Sequence, residues 1–127
     1  MGKYGLSAKL ATQYIQEGRY VSPIEAWKAA THTVFISKSS QDKSCPRGTF
    51  LGLCEIGAII GVPVGVYCKS IQNKQYAINA LEILKMKSDI FYTEESLWKL
   101  VINSEVKVAN HQMDVVLSLW NEGFINL

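Results

Sequence analysis

No two cysteines in this sequence are spaced as CxxC, and the three present, Cys45, Cys54 and Cys68, are odd in number. That argues against a secreted disulfide framework and for a reducing, cytoplasmic setting. Histidine is scarcer still. His32 and His111 are the only two, and no grouping of cysteine and histidine has zinc-ligand spacing, so neither a metal nor a cofactor is expected. The opening "MGKYGLSAKL" lacks a long apolar stretch, and Leu6 stands where a myristoylation signal wants Ser or Thr, so no targeting signal is read. One run is short of charge: Phe50 to Cys68, "FLGLCEIGAIIGVPVGVYC", carries only Glu55. Its four glycines and its proline favour a buried helix followed by a turn over a membrane span, and no membrane partner is expected. A formal charge of +2 is too small to announce nucleic acid, although residues 1–50 hold seven basic and three acidic groups and 51–127 hold six and eight. The basic first half points weakly to an anionic ligand.

What is present is helical periodicity. The chain is 127 residues long and 48% apolar, enough for one domain, 1–127, with a sizeable core. Leu6, Leu10, Tyr14 and Ile15 recur at helical spacing up to Gly18. Ser22, Pro23 and Glu25 form a capping-box start for a second helix with Trp27, Ala30 and Val34 on one face. A third, central helix over about 46–60, headed by Ser44 or Cys45 and Pro46, is apolar on nearly every side. A fourth starts near Ser70 and uses Ala77, Ile78, Leu81 and Leu84. Thr93 opens a fifth, with Glu94 and Glu95 in its first turn, and a sixth carries Met113, Val116, Leu117 and Trp120 and ends at Gly123. Asn110 stands where it could cap that last helix. The fold class is therefore all-α: a compact single-domain bundle of five or six helices around the apolar one.

Between the second and central helices lies "SKSSQDKSCPRG", Ser37 to Gly48, a connection of unusual length and polarity. Lys43, Ser44, Cys45, Arg47 and Gly48 sit where a helix start would leave unpaired amides and partial positive charge, which makes this segment the candidate site for a small phosphorylated or anionic ligand. The plainer reading is a helix cap with solvated charges. Cys45, beside Lys43 and Arg47 at a helix N-terminus, is also a candidate nucleophile, with His111 and Asp114, one helical turn apart, completing an arithmetically possible set. Glu55 is the remaining candidate for catalysis, and as the single charge in a core helix it should be mostly buried with a basic or hydrogen-bonding partner. A helix-turn-helix over 62–75, turning at Gly61 and offering Lys69, Gln72, Asn73, Lys74 and Gln75 to DNA, is the alternative function. Val64, Gly65 and Val66 are poor helix formers where its second helix should begin. The leading reading is a binding module rather than an enzyme.

The segments "SPIEAW", "SSQDKSCPRGTFLGLCE", "GVPVGVY", "NKQYAINALEIL" and "NHQMDVVLSLW" resemble a family of small bacterial proteins of unknown function. The resemblance covers nearly the whole chain. It implies a bacterial origin and carries no activity, ligand or site residue.

Overall fold

Gly5 and Asp114 join the N-terminal helix to the C-terminal one. The computed structural model describes residues 1–127 and contains helices α1 (Lys3–Gln16), α2 (Pro23–Val34), α3 (Lys38–Gln41), α4 (Ser44–Glu55), α5 (Ile71–Met86), α6 (Glu94–Ile102) and α7 (Gln112–Asn121). Six of these have nine residues or more, and α3 is a single turn. The only β feature is an isolated antiparallel bridge between Ile59 and Ile125. The chain is one all-α domain, as its periodicity implies.

Helix α1 lies along α2 on one side and α7 on the other. A Cβ added to Gly5 would stand 2.9 Å from the Asp114 carbonyl oxygen and 2.9 Å from Ser118 Cβ, so only glycine permits this approach of α1 to α7. The approach is used at once. Asp114 is buried, and its two carboxylate oxygens accept from the amides of Gly2 and Gly5 at 2.8 and 2.7 Å. A negative group from α7 thereby occupies the positive end of α1. Ser118 Oγ donates to the Gly5 carbonyl at 2.8 Å and completes the seam.

Helix α4 is central, and its residues from Gly48 to Cys54 are all buried. It packs on α5, α7 and α2. Gly52 brings its backbone against Lys74 of α5, where a Cβ would come within 2.9 Å of Lys74 Cα. One turn earlier, a Cβ on Gly48 would meet Ser70 Cβ at 3.1 Å, so the N-terminal parts of α4 and α5 lie side by side.

The expected extent of the central helix, 46–60, is corrected at both ends. It starts at Ser44 with Lys43 as N-cap, placing Pro46 third rather than first, and it ends at Glu55. Gly57 turns out of the helix at φ +75°. The apolar sequence beyond it stays buried without helix because the C-terminal tail supplies partners: Ile60 N–H donates to Phe124 O and Asn126 N–H to Ala58 O, both at 2.8 Å. Gly18 and Gly123 follow their helices at positive φ, in the places expected of them.

The caps are mixed. Thr93 forms a capping box with Ser96, and Ser70 accepts from Asn73 N–H. Ser22 makes no side-chain cap, and α7 is preceded by His111 in the left-handed region rather than capped by Asn110. The polar segment 37–48 is no free linker. Ser37 caps α3, Gln41 Nε2 donates to Phe35 O, and the Tyr4 hydroxyl donates to Ser40 O at 2.8 Å.

Replacing Gly5 by Ala forces the α1–α7 seam apart and should lower unfolding free energy by about 1–3 kcal/mol, the ordinary cost of overpacking. Asp114→Ala strands two amides and should cost about as much. Urea denaturation of both variants measures this, and a double variant losing much less than the sum of the two shows that they break the same contact.

Candidate functional site

The two neighbouring helix starts, α4 at Ser44 and α5 behind its cap Ser70, open onto one cavity of about 460 Å³. Its lining includes Ser44, Arg47, Gly48, Tyr67, Lys69 and Ser70, with Ile24 and Leu51 as apolar wall. Two cations line it and no carboxylate does. Neither helix has an acidic residue in its first turn. By contrast α2, α6 and α7 carry Glu25, Glu94 with Glu95, and Asp114 there, and Asp114 also serves α1.

Hydrogen-bond donors are specific to the two helix starts. Helix α4 has no side-chain cap, and proline at its third position has no N–H, so the amides that its ladder leaves free are those of Ser44 and Cys45. The amides of Gly48 and Thr49 lie deeper, in the helix's own ladder. On the α5 side, Ser70 Oγ accepts from both Asn73 N and Asn73 Nδ2, at 3.2 and 2.9 Å. With its lone pairs so used, the Ser70 hydroxyl proton is left to donate. Asn73 is itself fixed from below, because its Oδ1 accepts from the buried Gln112 Nε2.

The segment that carries Tyr67, Lys69 and Ser70 is held by Glu55. One oxygen of this carboxylate accepts from the amides of Tyr67 and Cys68 at 2.9 and 3.1 Å, and the other pairs with Lys74 Nζ at 2.6 Å. Its side chain is only 15% exposed. The hydrogen bond from Lys74, aided by the two amides, draws the Glu55 pKa down from 4.5 to about 2. Glu55 is thus half-buried and partnered, close to what its isolation in the sequence implies. An ionised carboxylate with three donors is a fastener, not an acid that gives up a proton near neutrality.

Of the residues read from the sequence, Ser44, Arg47 and Gly48 line the cavity, while Lys43 and Cys45 do not. Cys45 is half-buried at the second position of α4, with its carbonyl taken by Thr49 Oγ1. The three members of the cysteine-centred set are separately engaged. His111 packs on the Tyr4 ring at 4.8 Å, Asp114 holds α1, and no hydrogen bond joins either of them to Cys45. Cys54 is buried, and burial pushes its thiol pKa well up, while Cys68 is raised by burial as its Sγ donates to Gly48 O and Ser70 O at 3.3 Å. No three His, Cys, Asp or Glu side chains converge as a metal site.

The helix-turn-helix geometry expected over 62–75 is absent. Fifteen residues, 56–70, separate α4 from α5, far more than the three or four of that turn. Of its proposed contacts, Asn73 is buried and Lys74 is held by Glu55. Tyr67, Lys69 and Ser70 line the cavity but stand outside the segment read as the anion site. The cap at Ser70 marks a second helix start, but only packing shows that it neighbours the start of α4. No helix is long and apolar enough to cross a membrane.

Fold and cavity together describe a small all-helical domain with an open basic groove between two helix starts. The chain belongs to the family of unknown function DUF6979, whose model matches residues 1–126. No curated protein and no solved structure matches it.

An ion pair alone would make loss of Lys74, which strands a charge, costlier than Glu55→Leu; the geometry around Glu55 reverses that order. Its partners include two backbone amides that no substitution removes, so Glu55→Leu strands more than Lys74→Met does. Glu55→Leu should show the larger fall in Tm at pH 7. Because the folded pKa is depressed, the stabilisation is complete above about pH 4.5 and is lost as pH falls toward 2. The Tm advantage of wild type over Glu55→Gln should therefore shrink across that window and not at alkaline pH.

Proposed function

We propose that the protein binds a small phosphorylated or otherwise anionic ligand in the groove between the starts of α4 and α5. The observation that carries this reading is a cavity lined by Arg47 and Lys69 and by no carboxylate, at the two long helices whose N-termini receive no acidic side chain. Such a space attracts negative charge through fixed cations, helix dipoles and free donors together. In this reading Arg47 and Lys69 supply charge. The Ser44 and Ser70 hydroxyls and the Ser44 amide supply direction, and Ile24, Leu51 and Tyr67 receive the apolar part of the ligand. Lys43 adds long-range attraction, and Gly48 keeps the two helix starts close enough to share one ligand. The role is binding rather than catalysis. No cysteine, histidine or carboxylate stands in the lining to act as nucleophile or base. Three free thiols suit a reducing interior, and with the family resemblance they favour the bacterial cytoplasm as its location.

The test is thermal stabilisation by phosphate at constant ionic strength. Phosphate and sulfate stabilise any folded protein at high concentration by exclusion from its surface, so the informative quantity is the difference between wild type and variants. Ligand at one hundred times Kd contributes about 2.7 kcal/mol. Arg47→Ala and Lys69→Ala should each lose most of that gain while keeping the unliganded Tm within about a degree, since exposed charges contribute little to stability. Equal stabilisation of all three proteins across phosphate, sulfate and nucleotide titrations would remove the basis for the site.

A further inference from the structure

Exposed apolar side chains such as Val21, Ile36 and Val106 are spread along the chain, but around the connection between α5 and α6 they gather. Ile83, Met86, Ile90, Tyr92 and Leu100 line one hollow of about 340 Å³, with Lys87 the single charged residue among them. Phe91 stands beside it, 86% exposed, in the wall of a second cavity that shares Ile90 and Tyr92 with the first. Met86 is exposed as well. An isolated apolar side chain in water needs no explanation, whereas a contiguous group of them marks a surface that another molecule covers.

Shape and charge both indicate what covers it. Phe91 is a projecting ring, and the hollow next to it is large enough to take one, so projection and recess lie side by side on a single face. A two-fold contact between identical chains needs that arrangement, because the same patch must serve as knob and as hole. The charges are arranged in the same way. Lys87 borders the hollow, Asp89 borders the cavity beside Phe91, and neither is held by an ion pair within the chain. A peptide of one charge sign would meet one of these two unfavourably. A second copy of the face, turned by the two-fold, brings each against its opposite.

We propose that this face is the interface of a two-fold homodimer, in which Phe91 of each chain seats in the hollow between Ile83 and Leu100 of the other and Lys87 faces the partner's Asp89. Met86 and Tyr92, in the lining, give the incoming ring a sulfur and an aromatic neighbour, both favourable contacts for a buried phenyl group. The patch is small beside the roughly 800 Å² per partner of a standard stable interface, so the dimer is a weak one, with Kd in the micromolar range. It sits at the C-terminal end of α5, whereas the anion groove is at the N-terminal end, roughly 20 Å away by the rise of the helix. The dimer therefore leaves both grooves open and does not depend on what they bind.

Sedimentation velocity of the whole chain, from about 1 µM to about 1 mM, should show a monomer–dimer equilibrium within that range. Phe91→Ala removes two buried rings per dimer and should raise the Kd about a hundredfold. Leu100→Lys blocks the hollow and should weaken the dimer as much. Both residues are exposed, so both variants should keep the Tm that wild type shows at the lowest concentration, where it is monomeric. Lys87→Glu or Asp89→Lys alone sets like charges opposite each other twice and should weaken the dimer about three- to tenfold, and the two together should return the Kd to that of wild type. That recovery distinguishes a contact between copies from unspecific apolar association. Wild type that stays monomeric throughout overturns the proposal, as does a dimer that Phe91→Ala and Leu100→Lys leave intact, or a double charge reversal that binds no tighter than the singles.

Discussion

One carboxylate gathers three parts of the chain. Glu55, the last residue of α4, accepts from the amides of Tyr67 and Cys68 in the irregular connection and from Lys74 in α5. The connection of residues 56–70 has no helix and no sheet of its own, so its course depends on the few points where its backbone is tied. A carboxylate at the end of a buried helix is costly unless partnered, and here two amides and an ammonium group donate to it. The outcome is positional. Tyr67, Lys69 and Ser70 come to rest over the start of α4, and the groove exists because they do.

The fold treats its helix N-termini unequally. Helices α2, α6 and α7 begin with an acid of their own, and α1 receives the buried Asp114 through the close approach at Gly5. Each of these ends has its partial positive charge answered within the chain. At α4 and α5 it is unanswered, and those two ends lie side by side because Gly48 and Gly52 let the helices touch. Uncompensated charge of one sign, concentrated at a cavity that already holds Arg47 and Lys69, raises the local potential instead of dispersing it over the surface. A single bare helix start would mean little. Two of them sharing a cavity with two cations form a chemical environment that solvent alone fills poorly.

The sequence made the helices legible and hid their meetings. Six long helices, the glycine stops at Gly18 and Gly123, the caps at Ser70 and Thr93 and the paired state of Glu55 all follow from local spacing and from the cost of burying charge. The central helix was overextended because the apolar pattern through Ile60 continues while its partner changes. Residues 58–60 pair with 124–126, sixty and more positions away, and no local pattern encodes that. The same blindness separated Ser44, Arg47 and Gly48, which were read as site residues, from Lys69 and Ser70, which were read only as DNA contacts or a helix start. Asp114 and His111 illustrate the converse. Their one-turn spacing suggested shared chemistry, and the fold turned Asp114 to α1 and His111 to the Tyr4 ring.

Unmet polar groups are few in this domain. The sole orphaned buried side-chain donor, the Trp27 N–H, is closed off in the core, and the helix ends without acidic partners border the groove. Elsewhere the chain spends side chains generously on satisfaction: Asn73 and Gln112 bond each other in the interior, Thr12, Thr31 and Thr49 return their hydroxyls to their own helices, and Ser118 serves Gly5. Marginal stability gives a domain of this size little tolerance for donors left unpaired without compensation. Where two uncompensated helix starts and two cations collect at one groove, an anion that met them together would stabilise the protein more than any single contact, because the helix starts are already fixed by the fold before it arrives.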